Sequence, residues 1–159
     1  NLFSDAHSNN GDTFTISVSN VGKGIAAMKT QTGVDGSTYL ATEPKTWIVP
    51  VAQELSAQQL MNSTVDPAKN NAAVNPLSNK LTVVANPRLD AASTTDWYLA
   101  ADPQLIDTVV VAFLEGERQP QLDDEDSFDT DSRKYKVRHT VAAAAIDHRG
   151  LRKGGEDSS

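Results

Sequence analysis

Six carboxylates, Asp123, Asp124, Glu125, Asp126, Asp129 and Asp131, crowd the stretch QLDDEDSFDTDSRKYKVRHTV, and four cations, Arg133, Lys134, Lys136 and Arg138, follow at once. Residues of these types could ligate a hard cation, supply a general acid–base pair, or meet opposite charges on another surface. A calcium loop of the EF-hand kind needs carboxylates at alternate positions, a glycine at the sharp turn and a closing bidentate glutamate. Here Phe128 interrupts the run, and Ser132 and Arg133 stand where the closing elements belong. No specific metal site is expected. Acid–base catalysis needs two carboxylates held at fixed separation in a cleft, and acids strung along an exposed turn, as this stretch reads, are too mobile for that. A charged contact surface is the use that remains, beside a solvated loop with local ion pairing.

The other candidates are weaker. His7, His139 and His148 lie far apart in the chain with no ligand partner at helical or strand spacing, so zinc is not expected. The absence of cysteine excludes thiolate metal sites, disulfides and a cysteine nucleophile, and suits a reducing cytosol. There is no G-x-S-x-G elbow, glycine-rich phosphate loop or dinucleotide fingerprint. Neither a catalytic residue nor a cofactor is expected, and the chain reads as a non-enzyme. Trp47, Trp97, Tyr98 and Phe113 sit in strand-like runs, where aromatics are core.

The 159 residues can bury one core or two small subdomains, and with 38% hydrophobic and 6% aromatic residues that core is lean. A net charge of -7 opposes binding to a phosphate backbone, so no specific nucleic acid is expected. No window approaches the roughly 18 apolar residues of a membrane helix, and the N-terminus lacks a signal pattern, so a soluble chain with no membrane contact is expected. The chain opens on Asn1 inside a polar stretch, which reads as a processed product or an excised piece with sequence upstream.

The elements that must position these residues follow from periodicity. TFTISVS (Thr13 to Ser19) alternates as a half-buried strand. A helix should follow from Val21 to Gln31, capped by Ser19 or Asn20, with Val21, Ile25 and Met28 as its stripe and Gly33 as C-cap. Gly22 and Gly24 each weaken it by about 1 kcal/mol. TGVDGSTYLATEP reads as loop around Asp35-Gly36. Thr46 to Pro50 reads as a short buried strand, and Pro50 opens a helix that buries Val51, Ala52, Leu55 and Leu60. Thr64 to Asn79 is a long loop. Lys80 to Pro87 and Asp96 to Pro103 are strands, each stopped by its proline. Asp107 to Gly116 is apolar and β-branched enough for the middle of a sheet. The last strand runs from Lys134 through the alanines toward Ile146, a run also compatible with helix, and RKGGEDSS is a frayed tail.

Several segments in fixed order resemble a known family: LFSDAHSN, AAMKTQTGVDG, PKTWIVPVAQELSAQQLM, VNPLSNKLTVVANPRLD, the stretch from Trp97 to His139, and AAIDHRGLRK. Together they resemble the C-terminal portion of Mu-like tailed-bacteriophage major head (capsid) proteins, including those fused to a Clp-like prohead protease. The resemblance covers nearly the whole chain. Its most specific parts are Trp97-Tyr98 with Ala101-Asp102-Pro103, Leu114-Glu115-Gly116 with Pro120, Phe128-Asp129-x-Asp131 leading to Lys136-Val137-Arg138, and Asp147-x-Arg149-Gly150. Ser132 departs from a glycine frequent in that turn of the family.

The resemblance implies an α+β chain with the Hong Kong ninety-seven capsid fold. Residues 1–45 and 107–159 would form a discontinuous peripheral P-domain, its spine helix running from Val21 to Gln31, and residues 46–106 an axial A-domain. It implies a structural subunit of the virion capsid, assembled in the bacterial host cytoplasm from copies of itself as hexamers and pentamers, with a prohead protease and scaffold as assembly partners. The clasping arm would lie upstream, so this chain alone is expected to be a monomer or weak oligomer. Under this reading Asp123, Asp124, Glu125, Asp126, Asp129, Asp131, Arg133, Lys134, Lys136 and Arg138 are subunit-interface candidates, their two signs facing opposite signs on neighbouring copies. Two other functions remain open: a metal-dependent hydrolase using the acids near Phe128, and a virion decoration domain.

Overall fold

The computed structural model describes residues 2–11 and 15–155. They divide into two compact units, residues 1–108 with 147–159, and residues 109–146. The architecture is α+β.

The first unit is built on a four-stranded sheet. Its strands are β1 (Pro44–Val49), β2 (Thr82–Ala85), β3 (Trp97–Ala101) and β8 (Leu151–Gly154), in the order β2-β1-β3-β8. β1 pairs parallel with β2 and antiparallel with β3, and β3 pairs antiparallel with β8. A parallel pair needs a crossover, and helix α2 (Val51–Asn62) with the long loop after it supplies one between β1 and β2. Alternation along β1 and β3 turns Trp47, Val49, Trp97 and Leu99 to one buried face. There the two indoles meet edge to face at 5.9 Å and 86°, a geometry favoured by the ring quadrupoles. The strands read from Thr46, Lys80 and Asp96 are therefore present, the first beginning two residues earlier at Pro44 and the other two with tighter limits.

Helix α1 (Val18–Lys29) covers this core with Val21, Gly24, Ile25 and Met28. It starts earlier than its sequence suggests. Ser17, not Ser19 or Asn20, is the N-cap, its side chain accepting from the Asn20 amide at 3.2 Å. The strand read over TFTISVS is not formed where it can be followed: Val18 and Ser19 are helical, while Thr13 and Phe14 lie outside the described residues. Gly33 is not the cap either. The helix closes at Thr30, whose hydroxyl bonds back to the Ala26 and Ala27 carbonyls. Gly24, read as a weakness, lets the helix approach the sheet, since a Cβ there would sit 3.0 Å from Leu99 Cδ1 and 3.4 Å from the Trp97 ring.

Helix α2 corrects the sequence reading of its face. Ala57, Leu60 and Met61 are buried, whereas Val51, Ala52 and Leu55 are exposed, Leu55 at 79%. Pro50 has no side chain to cap the helix. Asp90, at the end of the short helix α3 (Pro87–Asp90), does so from a distance in sequence, its carboxylate accepting from the amides of Val51 at 2.9 Å and Ala52 at 3.1 Å. The long loop after α2 is organised by buried Asn75, which donates to the Leu60 and Ser63 carbonyls and accepts from the Leu77 amide.

The expected tail is partly a strand. β8 carries Leu151 to Gly154 along β3, and Gly154 is required there because a Cβ would fall 2.3 Å from the Trp97 ring. The chain start is strapped to the outer side of β8: Gly11 donates to the Lys153 carbonyl, the Lys153 amide donates to the Asn9 carbonyl, and Arg152 reaches the Ser8 carbonyl.

The second unit is a two-stranded ribbon in two stretches. Strands β4 (Val109–Phe113) and β7 (Val141–Ala145) pair antiparallel, as do β5 (Gln121–Ser127) and β6 (Ser132–Arg138). Between the stretches, residues 114–120 oppose only 139–140, and the Leu114 amide donates to the Thr140 carbonyl. Three readings are overturned here. The apolar run Val109–Phe113 is not in the middle of a sheet but in an exposed pair. The acidic stretch is a strand, not a loop. The final strand is broken at His139 and Thr140 because the extra residues opposite cannot be matched one for one. The alanines choose strand, not helix.

Candidate functional site

The hairpin of β5 and β6 brings all ten charged candidates together. Its register sets Asp123 opposite Lys136, Glu125 opposite Lys134 and Asp126 opposite Arg133, with Gln121 facing Arg138 and Leu122 facing Val137. Strand alternation sends Asp123 and Glu125 to one face and Asp124 and Asp126 to the other. The four strand acids are thus split two and two and do not all face one point. Among the described residues no group of three or more potential metal ligands is gathered.

On the second face Arg133 Nε donates to Asp124 Oδ2 at 2.9 Å and lies 3.6 Å from Asp126 Oδ1, and its guanidinium stands 5.8 Å from the centroid of the Tyr135 ring. One arginine thus ties two acids of the opposing strand. Cross-strand pairs of this kind contribute roughly 0.2–1 kcal/mol each. Phe128 to Asp131 close the hairpin, with the hydroxyls of Thr130 and Ser132 at 2.6 Å. The left-handed residue of this turn is Asp131, at φ 45°, while Ser132 is already in the strand, so the serine departure does not demand a glycine. Asp129 and Asp131 stand at the tip beside Phe128, whose ring is fully exposed.

A hollow of about 150 Å³ near the break in the ribbon is lined by Leu114, Glu115, Glu117, Gln119, Gln121, Arg138, His139 and Thr140. It includes Arg138 but none of the six acids.

The first unit holds a grouping that the sequence did not suggest. His7 and His148 stack at 3.9 Å and 17° beside a cavity of about 540 Å³ that Gln31 and Arg149 also line. His7 Nδ1 lies 3.2 Å from the Leu2 carbonyl, and the Gln31 amide donates to the His7 carbonyl at 3.0 Å. Burial, then His7, then Arg149 hold the His148 imidazole below its ordinary range, while Asp147 pulls it upward. No periodicity could have paired residues so far apart. The Asp147-x-Arg149-Gly150 motif is a local turn: the Asp147 carboxylate accepts from the Arg149 amide at 2.9 Å and its guanidinium at 3.1 Å. In the Ala101-Asp102-Pro103 motif, Asp102 pairs with Lys45 at 2.5 Å, which with the Gln104 amide holds that carboxyl below the usual range.

The chain is thus a mixed α+β protein with an exposed, two-signed ribbon. Residues 2–154 match the model of the phage capsid protein family, and the chain belongs to that family. A structural role in the virion capsid, in company with copies of itself, follows from that membership. No curated protein matches the chain. No helix among the described residues is long and apolar enough to cross a membrane.

Proposed function

We propose that the chain is the major head subunit of a Mu-like tailed phage or prophage, with the Hong Kong ninety-seven fold, and that it self-assembles into the icosahedral shell that holds the DNA. The observation that carries this reading is the family match over residues 2–154. The ribbon of residues 109–146 supports it, because its valines, Phe128 and ten charged candidates are exposed in the single chain and have a use in a contact between copies. Residues 1–45 and 107–159 then serve as P-domain and residues 46–106 as A-domain, with β3 of the A-domain and β8 of the P-domain sharing one sheet. The ten candidates set register between copies more than affinity, since exposed ion pairs are worth about 0.2–1 kcal/mol. A prohead protease and scaffold act during assembly in the host cytoplasm.

Electron microscopy of the full-length product of the gene encoding this chain tests the reading. Closed shells are expected. Discrete soluble particles with a metal-dependent activity would overturn it.

A further inference from the structure

All four acids within the hairpin strands lie on β5 and all four cations lie on β6. Each of these strands uses one edge to bond the other, and among the described residues no strand pairs with its second edge. An unpaired strand edge is a row of N–H and C=O groups able to bond another chain, and proteins commonly guard it with charge. Like charge on both edges repels every approach. Opposite charges act otherwise: the acidic edge of one copy repels the acidic edge of another and attracts its basic edge.

We propose that this hairpin is a directional β-pairing surface whose occupant is the hairpin of a second copy of this chain, the β5 edge of one copy adding antiparallel to the β6 edge of the next. This rests on the head-subunit reading and specifies where one contact forms and which way it runs. The hairpin's own register can repeat across the contact. Successive residues of a strand point their backbone groups to opposite edges, so the groups not used inside the hairpin are those free outside it. Lys136 then stands opposite Asp123 of the partner subunit, and Lys134 opposite Glu125 of the partner subunit. Each of these two lysines lies between an acid of its own chain and an acid of the next. No one-residue slip is needed, so the side chains keep their faces. β4 and β7 carry no charge, which leaves the selection to the hairpin. Because the joined edges differ, the contact is head-to-tail, a type that forms rings when the rotation closes and open arrays otherwise.

The chain has no cysteine, so single thiols report this contact. Leu122→Cys and Val137→Cys are opposite one another in the register and leave every charge in place. Oxidation should link the two variants when they are mixed at high concentration, and when they are coexpressed as full-length product in shells, but should link neither variant to itself. Self-linking, or no mixed link in shells that do form, overturns the proposal and leaves the head-subunit reading standing. Failure of the unaltered product to form shells overturns that reading instead.

Charge reversal gives a second test. Asp123→Lys with Glu125→Lys, and separately Lys134→Glu with Lys136→Glu, should each weaken self-association about tenfold. Mixing these two variants should restore it, and so should the fourfold exchange, which preserves the hairpin's internal pairs. Equal association by all these forms sinks the proposal.

Discussion

His148 shows how one half-buried ring couples the chain start to the body of the first unit. Its imidazole stacks on His7, which sits in the segment strapped along β8. The titratable and charged groups around it are His7, Asp147 and Arg149. Burial and the second imidazole favour its neutral form, so the folded state binds the proton less readily than the unfolded chain. The stability it contributes is present above the unfolded value of 6.5 and is lost as pH falls toward the lower folded value. Thermal midpoints followed from about pH 7.5 to about pH 5.5 should fall, and His148→Gln should flatten that fall. An unchanged slope in the variant would show that the stack is not responsible. Asn9, fully buried, steadies the same segment by donating to the Leu2 carbonyl at 2.9 Å and accepting from the Ser4 amide at 3.1 Å.

Among the elements, α2 takes its N-terminal cap from a residue distant in sequence. Its first amides are met by Asp90, and a carboxylate at a helix N-terminus also complements the dipole. Asp90→Ala should cost about 1 kcal/mol, read as a lowered urea midpoint with unchanged slope. No shift would mean that water serves those amides as well. The hairpin shows the opposite dependence, on local partners. Acidic residues disfavour strands, yet β5 forms because β6 presents cations at the matching positions. The acids were legible as a charged cluster from the sequence, and their strand conformation was not, because it depends on which residues lie across from them. β4 failed for a related reason: its valines carry the signature of a buried strand, but their partner is an alanine run whose side chains are too small to cover them.

The whole molecule combines a well-buried unit around Trp47 and Trp97 with a ribbon whose residues are nearly all exposed. An isolated two-stranded ribbon is marginal in water. Amides of residues 109–146 should therefore exchange hydrogen much faster than those of β1 and β3 in the dispersed chain, and become protected in assembled shells. Equal protection in both states would argue against a contact role for the ribbon. The exposed apolar run on β4 is what a sheet-centre signal looks like when its cover is not within the described residues.

The sequence by itself determined the strands at Trp47, Val83 and Trp97, the loop after α2, the absence of thiol chemistry, and a resemblance that the family match upholds at the level of a phage capsid protein. These depend on short-range periodicity, composition and segment order. Tertiary structure alone decided that the acids form a strand, that α2 turns Leu55 outward, that Asp90 caps a helix begun 39 residues earlier, and that His7 meets His148. Each of these depends on a partner outside the local run, across the hairpin turn for the acids and much farther along the chain for Asp90 and His148, and local pattern carries no information about who that partner is.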